Sequence, residues 1–585
     1  MAQVTLTAED GREVAEVMSR LGPVCEAFEA ELDKRPSGRP RDWTVAGTVA
    51  ALLLLARHAP KFHISHIEAL IGTLSPQQLK RLQLQRSDGT PFTTRQISYA
   101  WNEITRAVDP AMPGLTRAER IRRDKLLRRL GNKMLMATIP AYVRREWQGH
   151  LALDATLVWA HGRPPGEGKN KLYVSGRDGD GTPGYLSDVE RNEYDEETSD
   201  HPYLWNLEPN LPAPEAFHSN GRRRRRDRGR RSVGARWIGN ERNWSKRVFG
   251  HAFHTAVMCG AEDAGLDSVP LMAVGNVTTP TTANPAATGR LLVEDIHQLN
   301  DGHIGDVLAD GGYSQARAEH WQLPIRALGG EPIFRLHGTN QEGHKGAIRH
   351  GQYLKIDGRL YCACLPDRLR SATYPHRPTR DRSYNRQRKA DYNLINEARR
   401  PYELRYRTTT RTGMRFSTPH HGQGCTNCSN SDRQCCDKRL ISIPWDELGN
   451  YQRHQFGSAQ WEASYSRRSR IEGYFGNIKN SMVGGHVRDT AQFFEFAKIS
   501  FAFIFNAMAT NLARLKDWKA RHATLDTDAT RRPRRGRRRL NHTLDEIREN
   551  PDLVQQKKAR KRRMKPPKPK RTTSDPLAFL GTAPT

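Results

Sequence analysis

Apolar residues recur along this chain in changing rhythms, and each rhythm predicts a different element. From Val45 to Ala56 the run VAGTVAALLLLA is apolar almost throughout, which predicts a buried helix; at 12 residues it is too short to cross a bilayer. Ser75-Pro76 opens a second helix, PQQLKRLQL, with the serine as N-cap and the proline at the first helical position. After the loop QRSDGTPF comes TTRQISYAWNEITRAV, where Ile97, Trp101, Ile104 and Val108 form one stripe. Helix, short connection and helix are compatible with a helix-turn-helix reader of DNA, and equally with any helical hairpin. Thr116 and Glu119 have capping-box spacing ahead of the basic helix RAERIRRDKLLRRL. Residues 1–147 are therefore expected to be a mostly helical N-terminal domain.

Beyond them the rhythm shortens to two. HLALDATLVWA alternates Leu151, Leu153 and Leu157 with other residues, so it reads as a strand with Asp154 on the face opposite Leu153. HAFHTAVM (251–258) and VPLMAV (269–274) read as two more strands, followed by a helix, ATGRLLVEDIHQL. IGDVLADGGYS is a short strand ending at Asp310 and a Gly-Gly turn, and Ser314 is placed to cap a helix, SQARAEHWQL. YLKIDGRLYCA predicts a hairpin turning at Asp357-Gly358, within a β-containing insertion spanning about residues 325–455. In YSRRSRIEGYFGNIKN, Ile471, Phe475 and Ile478 make the inward stripe of an amphipathic helix. FFEFAKISFAFIFNAMATNLARL (493–515) is interrupted by Lys498, Asn506 and Asn511, which favours a core helix over a membrane anchor. The class expected is α/β, with a catalytic domain over residues 148–515.

The chemistry concentrates on that amphipathic helix. Tyr465, Arg468, Glu472 and Lys479 are spaced Y-x2-R-x3-E-x6-K, and in an unbroken helix all four share one face. A carboxylate there can hold a divalent metal while Arg and Lys meet phosphate oxygens. A surface helix with an ordinary i,i+4 ion pair would carry the same Arg–Glu spacing. An Asp inside an apolar strand is unfavourable unless it has a partner or a task, which singles out Asp154. Asp310 could equally cap a turn, and Asp306, four residues earlier, is its rival. The acidic run from Asp188 to Asp200 has no apolar period and reads as a solvated loop.

These residues resemble those of DDE transposases of bacterial insertion sequences, in the subgroup named for a YREK signature. The likeness covers roughly residues 148–515: Asp154 on a first strand, Asp310 with Gly312 and Tyr313 after a later one, and Glu472 within Tyr465–Lys479. It implies a ribonuclease-H-like mixed sheet on which Asp154, Asp310 and Glu472 converge as catalytic residues. They would bind two Mg²⁺ (or Mn²⁺) ions, which activate a water or 3′-hydroxyl and stabilise the leaving oxygen of a phosphodiester. Tyr465, Arg468 and Lys479 would contact DNA. The implied partners are element ends and target DNA, with a homodimer as the active complex. A catalytically silent DNA-binding derivative and a metal-dependent nuclease on the same core remain open readings.

Charge agrees with a DNA partner. The 585 residues carry a net charge of +30, and residues 531–571 hold 18 Lys/Arg against 4 Asp/Glu. Residues 516–585 are thus expected to be a largely disordered basic tail, and GRRRRRDRGRR (221–231) is a second cationic run. No apolar segment follows a basic start in residues 1–40, which suggests a cytoplasmic, nucleoid-associated bacterial protein with no membrane partner. Of eight cysteines, Cys425, Cys428, Cys435 and Cys436 cluster beside His420 and His421. They are candidates for structural zinc, or plain reduced thiols.

Overall fold

The computed structural model describes residues 6–34, 41–59, 61–112, 114–159, 236–238, 248–265, 267–279, 285–314, 316, 318–336, 348–350, 353–371, 381–419, 438–480, 493 and 495–527. The acidic run, the arginine run at 221–231, the cluster Cys425–Cys436 with its two histidines, and the basic stretch 531–571 lie outside these residues. The chain divides into two compact units, residues 1–515 and 516–585.

Alternating strand patterns build a six-stranded mixed sheet. Its strands are β1 (Leu151–Trp159), β2 (Arg236–Ile238), β3 (Val248–Met258), β4 (Ala273–Thr279), β5 (Asp306–Ala309) and β6 (Glu331–Phe334). The order is β2-β3-β1-β5-β6, with β4 also paired to β3. β3 runs antiparallel to β1 and to β4, whereas β5 is parallel to β1 and β6 parallel to β5. This mixed α/β arrangement is consistent with a ribonuclease-H-like core. β4 starts later than its apolar run: Val269 to Met272 approach it, and the ladder proper begins at Ala273. The core sheet continues to Phe334, so β6 lies inside the stretch expected to be insertion.

Pairing register decides which residues share a face. Phe253 stacks on Phe503, ring centroids 4.2 Å apart, so its face of β3 receives the long apolar helix near the C-terminus. Gly275, on the opposite face, leaves room for Leu292 and Ile296, which a Cβ would meet at 2.7 and 3.0 Å. Asp154 pairs with Thr255 and so shares the Phe503 side rather than the Gly275 side.

The N-terminal region is helical: α1 (Ala8–Arg20), α2 (Gly22–Leu32), α3 (Val45–His58), α4 (Ile67–Ile71), α5 (Pro76–Arg81), α6 (Thr94–Val108), α7 (Arg117–Ala137) and α8 (Ala141–Glu146). Ser75 with Gln78, and Thr93 with Gln96, form complete capping boxes at α5 and α6. Thr116 accepts from the Glu119 amide, but the Glu119 carboxylate turns to Arg122 and Arg123 instead of closing the box. These helices pack directly on the sheet. Asn132 of α7 accepts from the Asn276 amide on β4 and donates to buried Asp295, which also pairs with Arg128 at 2.8 Å.

Asp295 lies on α9 (Pro285–Leu299), which leads into β5. The single helix expected from Ser314 is instead α10 (Gly311–Ser314), a 3-10 turn at Ala318–His320, and α11 (Gln322–Ala327). Tyr313 and Trp321 both turn inward and pack 5.0 Å apart, which a continuous helix would not allow. Gly289 makes room for them, since a Cβ there would meet Tyr313 at 2.6 Å and Trp321 at 2.8 Å.

Between β6 and the Glu472 helix lie two small sheets. The first holds β7 (Ile348–His350), β8 (Tyr353–Ile356) and β9 (Arg359–Cys362), with the expected turn at Asp357-Gly358 in positive φ. After α12 (Asp367–Arg370) and α13 (Arg382–Arg399) come β10 (Arg405–Thr410), β11 (Gly413–Ser417) and β12 (Leu440–Pro444). The chain then forms α14 (Ala459–Tyr465), α15 (Ser469–Asn480) and α16 (Phe496–Thr527). The helix Phe496–His522 is long and apolar enough to cross a membrane by length and composition, yet its most apolar 18-residue window is 94% buried. Its polar breaks are used: Asn511 bonds both the amide and the carbonyl of Ala273.

Candidate active site

The segment carrying the Tyr465–Lys479 pattern is not one α-helix. α14 ends at Tyr465, a 3-10 turn covers Ser466–Arg468, and α15 starts at Ser469. The cause is the pair of neighbouring arginines, which go to opposite tasks. Arg467 is buried, bonding Ser464, the Gly260 carbonyl and Asp306, while Arg468 turns outward between carboxylates. The tighter turn lets consecutive side chains diverge. Past the turn the predicted stripe holds, with Ile471, Phe475 and Ile478 buried beside Tyr474.

Arg468 is the hub of the acidic group. Its Nη2 donates to Asp154 Oδ2 at 2.5 Å and its Nη1 to Glu472 Oε1 at 2.9 Å. Asp154 sits mid-strand on β1, and its other oxygen accepts from the Ala155 amide at 2.8 Å. Burial pushes the Asp154 carboxyl up to about 6, and the negative charges of Asp310 and Glu472 add to that against the pull of Arg468. Asp310 follows β5, where its Oδ1 accepts from the Gly312 amide at 2.9 Å in a tight turn. Glu472 is largely exposed, its side chain at 63%. Strand β1, the end of β5 and helix α15 therefore bring Asp154, Asp310 and Glu472 into one electrostatically coupled group.

Of the other two residues of the pattern, Tyr465 borders this group. Tyr465 stacks on Trp461 at 4.5 Å beside Phe334, Leu336 and Phe456. Burial raises its phenol to about 12, opposed by Arg468 and assisted by Asp310. Lys479 is half-buried near the end of α15, where burial lowers its pKa, and it has no carboxylate partner among the described residues. Such a cation is short of a counter-charge.

Asp306, the rival acid, is fully committed elsewhere. Arg467 and Arg453 each donate to it at 2.6 Å, and His150 Nδ1 lies 3.4 Å away. Burial would push its carboxyl up, but His150, Arg453 and Arg467 outweigh that and hold it well below the usual carboxylate range. Both oxygens are occupied, so it is a structural anion. Arg467, Arg453 and Arg470, whose guanidinium bonds the carbonyls of Met258 and Val269, escaped notice in the sequence because nothing in their spacing marks them as buried. His254 also escaped notice. Buried on β3 and held neutral by burial, which lowers its pKa to about 4, it faces the Tyr313 hydroxyl at 3.4 Å.

The donor set is all carboxylate oxygen, the kind that suits a hard divalent cation. Among the described residues no three His, Cys, Asp or Glu are gathered closely enough to hold a metal ion; Arg468 stands between Asp154 and Glu472 and bonds both. The three acids thus fit such an ion in kind, with a guanidinium supplying the positive charge in the described arrangement.

A test follows from Asp154. The folded protein holds its proton up to about pH 6, whereas the unfolded chain releases it near the ordinary value of 3.8. Stability is therefore lost as pH rises through this window, and a cation replacing the proton restores it. At neutral pH, Mg²⁺ is expected to raise the melting temperature of the native protein. Asp154→Asn should melt higher without metal and respond less to it. Equal Mg²⁺ responses from the two proteins would place the ion elsewhere.

A family model described as a transposase DDE domain matches residues 397–516. The match runs from the end of α13 into α16 and contains Tyr465, Arg468, Glu472 and Lys479; Asp154 and Asp310 precede it. It supports a DDE transposase, an enzyme class that acts on DNA and generally uses divalent metals. Comparisons with curated proteins and with solved structures gave no match.

Proposed function

We propose that this protein is a transposase that binds the inverted-repeat ends of its own bacterial insertion sequence, cuts them and joins them to target DNA. The observation that carries the reading is the convergence of Asp154, Asp310 and Glu472, from segments far apart in sequence, around Arg468. Those acids would hold two Mg²⁺ or Mn²⁺ ions. When bound, the ions supply charge for activating a hydroxyl and for a departing phosphodiester oxygen. The chain's own part is to aim the carboxylates, keep Asp154 in a dry strand position and present cations to the phosphates. Arg468 would offer its guanidinium to a phosphate oxygen. Tyr465 packs the strand beside it, and Lys479 meets a phosphate with the charge it has not otherwise spent.

The N-terminal helices, with α6 foremost, would read the end sequence, and the basic tail would raise affinity for any duplex. The protein would act as a homodimer on paired ends within the bacterial nucleoid. The test is cleavage of a duplex spanning the junctions that flank the gene. Cutting should occur at defined junctions, require Mg²⁺ or Mn²⁺ and stop on chelation. Cutting that persists in chelator would refute the metal role.

Lys479→Ala offers a finer check. Each phosphate contact removed lowers the slope of log affinity against log salt by about 0.9. The variant should show that reduction together with slower cleavage. An unchanged slope returns Lys479 to the class of solvated lysines.

A further inference from the structure

The β10–β12 sheet buries one face and leaves the other to solvent. Met414, Phe416, Ile441 and Ile443 pack into the cluster that also holds Tyr353 and Leu360. Pairing register identifies the outer residues. Arg405 lies opposite Ser417 and Ser417 opposite Leu440; Thr408 lies opposite Arg415 and Arg415 opposite Ser442. Opposed residues share a face, so these six belong to the outer side. The register shift between Tyr406 and Thr408 adds Arg407 to it, whose Nε donates to Ser417 Oγ at 3.0 Å. Tyr406 turns back against Phe416, ring centroids 6.1 Å apart. Arg405, Arg407 and Arg415 therefore stand together on one exposed face, with exposed Arg411 in the turn between β10 and β11.

These strands carry no negative charge: no Asp or Glu occurs in residues 404–418 or 440–444. Of the described acids that flank them, Glu403 is held by Arg359 and Glu447 by the Tyr353 hydroxyl, and Asp446 follows the end of β12. Among the described residues none of the four arginines has an ion-pair partner. Other surface arginines do: Arg41 pairs with Glu29 and Asp33, and Arg400 with Glu397. Cations gathered without counter-charges repel one another, which costs stability. Charged side chains on an edge strand guard against strand addition, and β10 pairs with β11 alone. That purpose accounts for Arg405 and Arg407 but not for Arg415, which stands on the central strand.

The chemistry of the face matches a row of phosphates. All four cations are arginines, whose planar fork takes two phosphate oxygens at once, and Thr408 and Ser442 set hydroxyl donors between them. The six residues of β10 extend about 20 Å, the length of about six nucleotides along one strand of a duplex. Building on the DNA reading above, we propose that the outer face of the β10–β12 sheet docks the sugar-phosphate backbone of duplex DNA, without regard to sequence and apart from the catalytic acids.

The experiment measures the affinity of the full chain for a labelled random duplex over a salt series without metal, so no cleavage is needed. Arg405→Gln/Arg407→Gln/Arg415→Gln is expected to lower the slope of log affinity against log salt by about 2.7, at about 0.9 per phosphate contact. Lowering salt from about 200 to about 50 mM should then tighten native binding about 40-fold more than the variant's. A duplex carrying the gene's flanking junction should lose as much as the random one. Ser442→Arg adds a cation beside Arg415 and should raise the slope by about 0.9, which keeps the test open should the triple variant fail to fold. Lys34→Gln/Arg41→Gln/Arg400→Gln removes the same net charge from paired surface cations and should leave the slope near native. An unchanged slope in the first variant and in Ser442→Arg, an equal fall in the matched one, or a loss confined to the junction duplex would overturn the proposal. Native protein that fails to cut the junction while these slopes behave as expected would refute the transposase reading and leave the docking face standing.

Discussion

Asp306→Ala is expected to destabilise the protein by about 3–5 kcal/mol, the usual loss when one partner of a buried ion pair is removed. Asp306 is 1% exposed, and its removal strands the buried Arg467 guanidinium and the Arg453 contact together. The damage extends beyond one pair. Arg467 also ties the 3-10 turn to Gly260 and Ser464, so its release loosens the turn that aims Arg468. Asp310→Ala, four residues away, removes only a turn contact to Gly312 and should leave stability within about 1 kcal/mol of native. Urea denaturation of the two variants measures the contrast. Similar midpoints would mean that Asp306 is not the structural anion described here.

The second large effect is on chemistry. Asp154→Ala, Asp310→Ala and Glu472→Ala, each alone, are expected to lower DNA cleavage on the order of 10³-fold or more, equivalent to about 4 kcal/mol of transition-state stabilisation. The reason is that each acid comes from a different element, so none can replace another. DNA binding measured by gel shift should stay close to native, because removing a carboxylate removes repulsion from phosphate rather than attraction. Asp154→Ala carries an added signature. It deletes a carboxyl whose pKa stands near 6 and so should flatten the acid limb of the residual pH profile. Robust cleavage by Asp310→Ala would move the second acid elsewhere on the sheet.

Much of this arrangement was legible from periodicity. Strands β1, β3 and β5, helices α3, α6 and α9, and the inward stripe of α15 follow from apolar spacing alone, because each buries one face against a partner. Where the reading missed, tertiary contacts had overridden local pattern. Inward-turning Tyr313 and Trp321 break the helix expected after Ser314, and Arg467 breaks the one expected through Arg468. Local rules treat a run such as SRRSR as solvated surface. Nothing in its spacing tells that alternate arginines are drawn inside to Asp306 and to the carbonyls of Met258 and Val269. The choice between Asp306 and Asp310 likewise required partners: at the start of β5 and just past its end, they differ in what surrounds them, not in pattern. The approach of Asp154 to Glu472 spans 318 positions and came from family resemblance rather than from spacing.

The central claim is that these acids serve DNA joining as well as cutting. The most direct measurement is a strand-transfer reaction with Mg²⁺, in which the full-length protein meets a labelled duplex carrying the gene's flanking junction and an unlabelled plasmid. The account predicts that label becomes covalently attached to the plasmid through a 3′ end cut at the junction, and that the product is absent with Asp154→Ala, Asp310→Ala or Glu472→Ala. Cutting of the labelled duplex with no attachment to the plasmid would contradict it and leave a nuclease on the same core.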